Sequence, residues 1–181
     1  MKFKIKAEKD HSIKIYLTNL GKYNEGELVG EWVTLPVNDF KPILDKIGIN
    51  GQEGYEEWFI TDYSAPFEIN EYDNIEELNN IAKLSKDFSD IDWLAFQEYT
   101  ENGYNKEEAF QKVRNHDYSY IEGITEREAG ERYLDETGGL ADLPREELER
   151  YFDYESFGRD LIINGSYRKV NDGKNFGYIS L

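Results

Sequence analysis

The sequence predicts an α+β protein assembled from small domains, and three observations carry that reading. Short runs with the two-residue period of a half-buried strand lie towards both ends of the chain, around Ile15 and Leu17, Leu28 to Leu35, Tyr167 to Val170 and Phe176 to Ile179. Helix starts recur between them, each a capping residue with an acid three positions on: Asn74 with Glu77, Ser89 with Asp92, Asn105 with Glu108, Thr125 with Glu128. Fourteen Tyr, ten Phe and three Trp make 15% of the 181 residues, an aromatic content that acidic disordered tails lack because nothing in them has to be buried.

Residues 1–66 read as an N-terminal domain of β-β-α-β type. In Met1 to Ile13, Lys2, Lys4, Lys6 and Lys9 outnumber Glu8 and Asp10, while Phe3, Ile5 and Ala7 alternate with lysine. That pattern suits an edge strand whose lysines discourage aggregation, or else a frayed extension. Ile15 and Leu17 lead into Asn19-Leu20-Gly21 and a loop to Gly26, and a second strand spans Leu28 to Leu35 with Trp32. Phe40, Ile43, Leu44 and Ile47 have helical spacing with Gly48 as the stop, and Tyr55 to Tyr63 returns to an extended run.

Residues 67–114 read as an acidic helical domain of three short helices with a thin apolar side, holding twelve acidic and five basic residues. Residues 115–181 close the chain as a second α+β domain. Tyr118, Tyr120 and Ile121 predict a strand, and Thr125 opens a helix through Ala129, Tyr133 and Leu134 to Gly138-Gly139. Pro144 then suits a first helical turn, Glu146 and Glu147 its positive end, and Gly158 a left-handed stop, so a single helix over Pro144 to Gly158 is expected. Strands at Leu161 to Ile163, Tyr167 to Val170 and Phe176 to Ile179 follow, joined by the turn signals Asn164-Gly165 and Asn171-Asp172-Gly173.

The chemistry legible in the residues is mostly exclusion. Asp and Glu total 38 against 21 Lys and Arg, a net charge of −17, so the chain is repelled by nucleic acid and anionic lipid and its expected partner is basic. There is no Cys, and no apolar run approaches a leader or a membrane span, which makes the cytoplasm the expected compartment. His11 and His116 have no metal-ligand spacing, Asp172 sits in a turn without the Asp/Asn ladder of a calcium loop, and Gly21 to Gly30 match no phosphate-binding pattern. No catalytic residue, metal or cofactor is expected. Three readings of the acidity stay open: a mimic of DNA, a general acidic chaperone or binder of basic nucleoid proteins, and a small carbohydrate-active enzyme using one carboxylate pair.

Two blocks carry a family resemblance. Leu143-Pro144, Tyr151, Asp153-Tyr154 and Gly158-Arg159-Asp160-Leu161 resemble the antirestriction motif of ArdA-type antirestriction proteins. Asn19 to Gly30, NLGKYNEGELVG, followed by Trp32, resembles that family's N-terminal signature. The similarity runs from about Lys14 to the C-terminus and leaves Met1 to Ile13 uncovered.

The resemblance implies an elongated, curved molecule of three small domains that dimerises through the C-terminal domain, with motif 143–161. It implies an inhibitor that imitates bent duplex DNA and occupies the DNA-binding groove of type I restriction-modification enzymes, chiefly the methyltransferase core with its specificity subunit, blocking restriction and modification and so protecting mobile DNA. The carboxylates chosen on this reading as phosphate stand-ins are Asp73, Glu76, Glu77, Asp87, Asp90 and Asp92, then Glu98, Glu101, Glu107 and Glu108, then Glu126, Glu128, Glu131, Asp135 and Glu136. Leu148, Tyr151, Phe152, Tyr154, Gly158 and Arg159 would serve folding or the dimer seam.

Overall fold

A computed structural model describes residues 11–51, 53–123, 125–140 and 143–181. It is α+β, with eight helices and two three-stranded antiparallel sheets among the described residues. The chain divides into two compact units between Asp87 and Phe88.

The first unit runs β1 (Ile13–Asn19), α1 (Leu20–Asn24), β2 (Gly30–Leu35), α2 (Lys41–Lys46), β3 (Trp58–Ser64), α3 (Ile75–Leu84), with β1 central in the order β2-β1-β3. Ile13, Ile15 and Leu17 face the core with Val33, Leu35 and Ile60, as period-two burial requires. The expected loop after β1 instead opens with α1. Asn19 makes the turn: its Oδ1 accepts the Lys22 N–H at 3.0 Å, and its Nδ2 donates to the Ile47 carbonyl at 3.0 Å. α2 ends at Gly48, whose φ of +83° only glycine adopts freely. In α3, Ile75, Leu78, Ile81 and Ala82 are buried on one stripe, and the Asn74 side chain accepts the Glu76 and Glu77 N–H groups. Asn79 fixes this helix to the chain after β2 by accepting the Val37 N–H at 2.7 Å and donating to the Val37 carbonyl at 3.0 Å. Of the extension before β1, Met1 to Asp10 lie outside the described residues.

The second unit runs α4 (Asp90–Glu101), α5 (Lys106–Arg114), β4 (Ser119–Glu122), α6 (Glu126–Thr137), α7 (Arg145–Tyr151), α8 (Tyr154–Ile163), β5 (Arg168–Asn171), β6 (Phe176–Ser180), with β6 central in the order β4-β6-β5. Helices α4 and α5 start where their capping boxes predict, at Ser89 with Asp92 and Asn105 with Glu108. The boundary between the units therefore passes inside the helical stretch 67–114, with α3 on one side and α4 and α5 on the other. The apolar side of α4 is broader than a thin stripe: Trp93, Leu94, Ala95, Phe96 and Tyr99 are all buried, with Phe88 stacked on Phe110 and edge-on to Trp93.

Three expectations for the C-terminal stretch are corrected. The single helix through Gly158 is two: α7 ends at Tyr151, Phe152 turns to extended backbone, and Asp153 caps a new helix by accepting the Ser156 N–H at 2.9 Å. Gly158 lies inside α8, where it is buried against α6 rather than ending a helix. Leu161 to Ile163 complete α8 and form no strand, so Asn164-Gly165 ends a helix, with Gly165 at φ +75°. The Asn171-Asp172-Gly173 turn joins β5 to β6 as predicted, with Gly173 at φ +90°.

Both sheets share a device absent from the linear pattern. Tyr16 opposes Trp32 but its ring lies over Gly30, two residues back on β2; Tyr120 opposes Ile179 but its ring lies over Gly177, two residues back on β6. A Cβ on either glycine would occupy the space of the ring. A diagonal tyrosine thus covers backbone that a glycine leaves bare.

Candidate acidic binding surface

The carboxylates divide by what already holds them. Asp92 is structural three times over: its Oδ2 accepts from the Ser89 N–H at 2.7 Å and the Ser89 hydroxyl at 2.6 Å, and its Oδ1 from the Tyr118 hydroxyl at 2.8 Å. Burial, and then Asp92, pushes Tyr118 well above the ordinary tyrosine range. Asp90 receives Lys174 Nζ at 2.6 Å and Asn175 Nδ2 at 3.1 Å, joining the first turn of α4 to the β5-β6 turn. Glu108 and Glu128 close capping boxes, and Asp73 accepts the Asn70 N–H at 2.8 Å. Glu107 accepts from Gln111, Glu131 pairs with Arg127 at 2.8 Å, and Glu126 with Arg159 at 3.2 Å.

Glu98 is the anomaly. Its side chain is 13% exposed with Arg168 at 3.8 Å, and its Oε2 accepts no hydrogen bond. Burial, then the nearby Glu101 charge, raises its pKa, and Arg168 offsets this only in part.

Six of the fifteen are left: Glu76, Glu77, Asp87, Glu101, Asp135 and Glu136, whose carboxylates have no hydrogen-bond or ion-pair partner among the described residues. All are exposed except the half-buried Glu77. Glu76 and Glu77 favour the positive end of α3 by roughly a few tenths of a kcal/mol, but otherwise such exposed groups add little to folding and repel their neighbours. They are free to meet an incoming cation.

The residues of the 143–161 stretch separate in the same way. Gly158 and Tyr154 are buried, Phe152 is half-buried and packs edge-on to Tyr154 and Phe157 at 4.9 and 5.4 Å, and Leu148 is half-buried. Arg159 bridges Glu126 on α6 and Glu155 on α8, at 3.2 and 3.5 Å. Tyr151, by contrast, is 79% exposed. Tyr154, Gly158 and Arg159 hold α8 against α6, whereas α7 has no buried residue and Tyr151 at its end faces outward. The residue that sequence reasoning missed is Gly130, the partner of Gly158; a glycine inside the otherwise well-capped helix EREAGERYLDET was the available signal.

Elsewhere the side chains converge on little chemistry. His116 adopts a left-handed backbone that ends α5, with its ring beside Tyr118. Among the described residues no group of three or more His, Cys, Asp or Glu could hold a metal ion. A cavity of about 380 Å³ in the first unit is lined by Asn19, Lys22, Lys46 and Tyr55 with Val29, Ile47, Gly48 and Asn50, none of them a carboxylate. No helix among the described residues is long and apolar enough to cross a membrane.

Compared with known proteins, the chain matches the model of the antirestriction protein (ArdA) family over residues 15–176. No curated protein matches it.

Proposed function

The chain belongs to the ArdA family of antirestriction proteins, which act on restriction enzymes, and from that premise we propose that it works as a DNA mimic. Its acidic surface occupies the DNA-binding groove of a type I restriction-modification enzyme, at the methyltransferase core with its specificity subunit, and inhibits by occupancy without catalysis. The observation that carries this reading is the set of six uncommitted carboxylates. They sit on or beside helices α3, α4 and α6, and no hydrogen bond or ion pair among the described residues uses them.

One helix cannot imitate duplex DNA. The stretch 67–114 has one carboxylate per four residues, about 6 Å of helix rise, whereas duplex DNA carries one charge per roughly 1.7 Å of axis. The array needs carboxylates from several helices, and a second copy extends it further; homodimerisation through the C-terminal stretch belongs to this proposal. The cytoplasm is the compartment in which it would meet its target.

The test is a titration of a type I methyltransferase with the protein at fixed DNA. Displacement of DNA that saturates at a simple stoichiometric ratio is expected. Time-dependent loss of activity at sub-stoichiometric protein would instead identify an enzyme, and equal binding to unrelated basic proteins a general acidic chaperone.

A further inference from the structure

The outer face of the first sheet is aromatic. Tyr16 opposes Trp32, and Thr18 opposes Phe59 on β3, so these four side chains share the face opposite Ile15 and Leu17. Tyr16 and Trp32 meet edge-on at 5.4 Å. Phe59 is only 6% exposed because Tyr23 packs edge-on to it at 5.1 Å and Tyr72 stacks on it at 6.4 Å. The covering rings are themselves open: Tyr23 is 51%, Trp32 48% and Tyr72 72% exposed. Three large open aromatics, Trp32 on β2 and Tyr23 and Tyr72 packed over Phe59 of β3, exceed the scattered apolar exposure of an ordinary surface.

The charges around this face decide what can cover it. Asp62, exposed, opposes Tyr16, and Glu71 and Asp73 flank Tyr72 in sequence. Lys22, beside Tyr23, is held by Glu25 at 2.9 Å and Glu27 at 3.6 Å, and Lys14 at the far end of the face is itself engaged. Residues 11–87 hold fifteen acids against six basic residues. A second copy placing the same face here would set like charges together, whereas a cationic surface would find ring faces and carboxylates at once. Arginine fits better than lysine, because its planar, weakly hydrated guanidinium stacks on rings while its N–H groups reach a carboxylate.

We propose that this aromatic face docks an arginine-bearing surface of the restriction-modification enzyme, so that the first unit recognises its target by ring stacking as well as by charge. This rests on the function proposed above. Isothermal titration of the full chain with an oligoarginine and an oligolysine of equal length reads the face directly. The parent is expected to prefer arginine several-fold, and a Trp32→Ala/Tyr72→Ala variant to lose that preference while keeping its lysine affinity; an unchanged preference overturns the proposal. In DNA competition on a type I methyltransferase, the double alanine variant is expected to inhibit on the order of ten-fold more weakly at an unchanged melting temperature. The Trp32→Phe/Tyr72→Phe variant keeps its rings and is expected to inhibit like the parent. If the parent competes and the alanine variant competes equally, the aromatic face is not the docking site while the mimic reading stands. If the parent fails to displace DNA, the mimic reading falls, and the enzyme named here as partner falls with it.

Discussion

Gly130 of α6 and Gly158 of α8 face each other where the two helices cross. A Cβ built on Gly130 would lie 2.5 Å from the Tyr154 carbonyl oxygen and 3.2 Å from the Gly158 nitrogen, and one built on Gly158 would overlap the Glu126 carbonyl. Neither neighbour is a flexible side chain that can give way. The backbones approach this closely because both positions lack a side chain, and Arg159, the next residue, then reaches Glu126.

Gly158→Ala is therefore expected to separate α6 from α8 and destabilise the second unit by about 2 kcal/mol or more, the upper part of the range for overpacking. Gly130→Ala should cost about the same. Helix propensity alone predicts the reverse sign, since alanine favours a helix interior over glycine by roughly 1 kcal/mol. Urea denaturation of each variant decides between them.

Replacing the six uncommitted carboxylates, Glu76, Glu77, Asp87, Glu101, Asp135 and Glu136, by their amides should leave thermal stability unchanged or higher and clearly weaken inhibition. Asp92→Ala should act the opposite way, costing about 1 kcal/mol or more of stability through loss of a helix cap. Parallel melting curves and methyltransferase competition assays separate the two classes. A six-fold amide variant that inhibits like the parent would move the binding surface elsewhere.

Glu98 supplies a pH-dependent test. Its folded-state pKa is raised above the ordinary glutamate value, so between those values the folded form binds more protons and stability falls as pH rises. The penalty is absent at pH below the ordinary glutamate range and fully present above the raised folded value. Glu98→Gln should consequently raise the melting temperature at pH 7 and lose that advantage in acid. A variant less stable than the parent at pH 7 would mean that the Arg168 pairing outweighs burial.

Tyr151→Asp should leave the melting temperature of the isolated chain unchanged, because 79% of that side chain is already exposed. If α7 forms the seam of a homodimer, the same substitution should halve the sedimenting mass. A parent that sediments as a monomer would remove the seam altogether.

Inhibition should weaken steeply between low and moderate salt, since exposed carboxylates pair with enzyme cations through interactions that salt screens. The residual affinity at high salt then measures the contribution of uncharged contacts. A flat response would argue against an acidic interface.

Local chemistry was legible in the sequence wherever one residue could settle it. Asn74, Ser89, Asn105 and Thr125 open the helices they predict, because a side-chain acceptor two or three residues from an unpaired N–H acts within its own turn. Gly138 ends α6 at φ +66°, and Asn171-Asp172-Gly173 turns β5 into β6, for the same local reason. The net charge of −17 and its preference for a basic partner also follow from composition alone. What only the tertiary structure decided is which signal wins where two compete. Gly158 could stop a helix or admit a neighbour, and the approach of Gly130 from a helix more than twenty residues away chose the second. Leu161 to Ile163 could be strand or helix, and Asp153 as a cap with α6 as a packing surface made them helix. Among the acids, sequence offers no way to tell Asp90 from Asp87: the Lys174 and Asn175 side chains that occupy one, and the lack of a partner at the other among the described residues, are set by distance in space, which spacing along the chain does not encode.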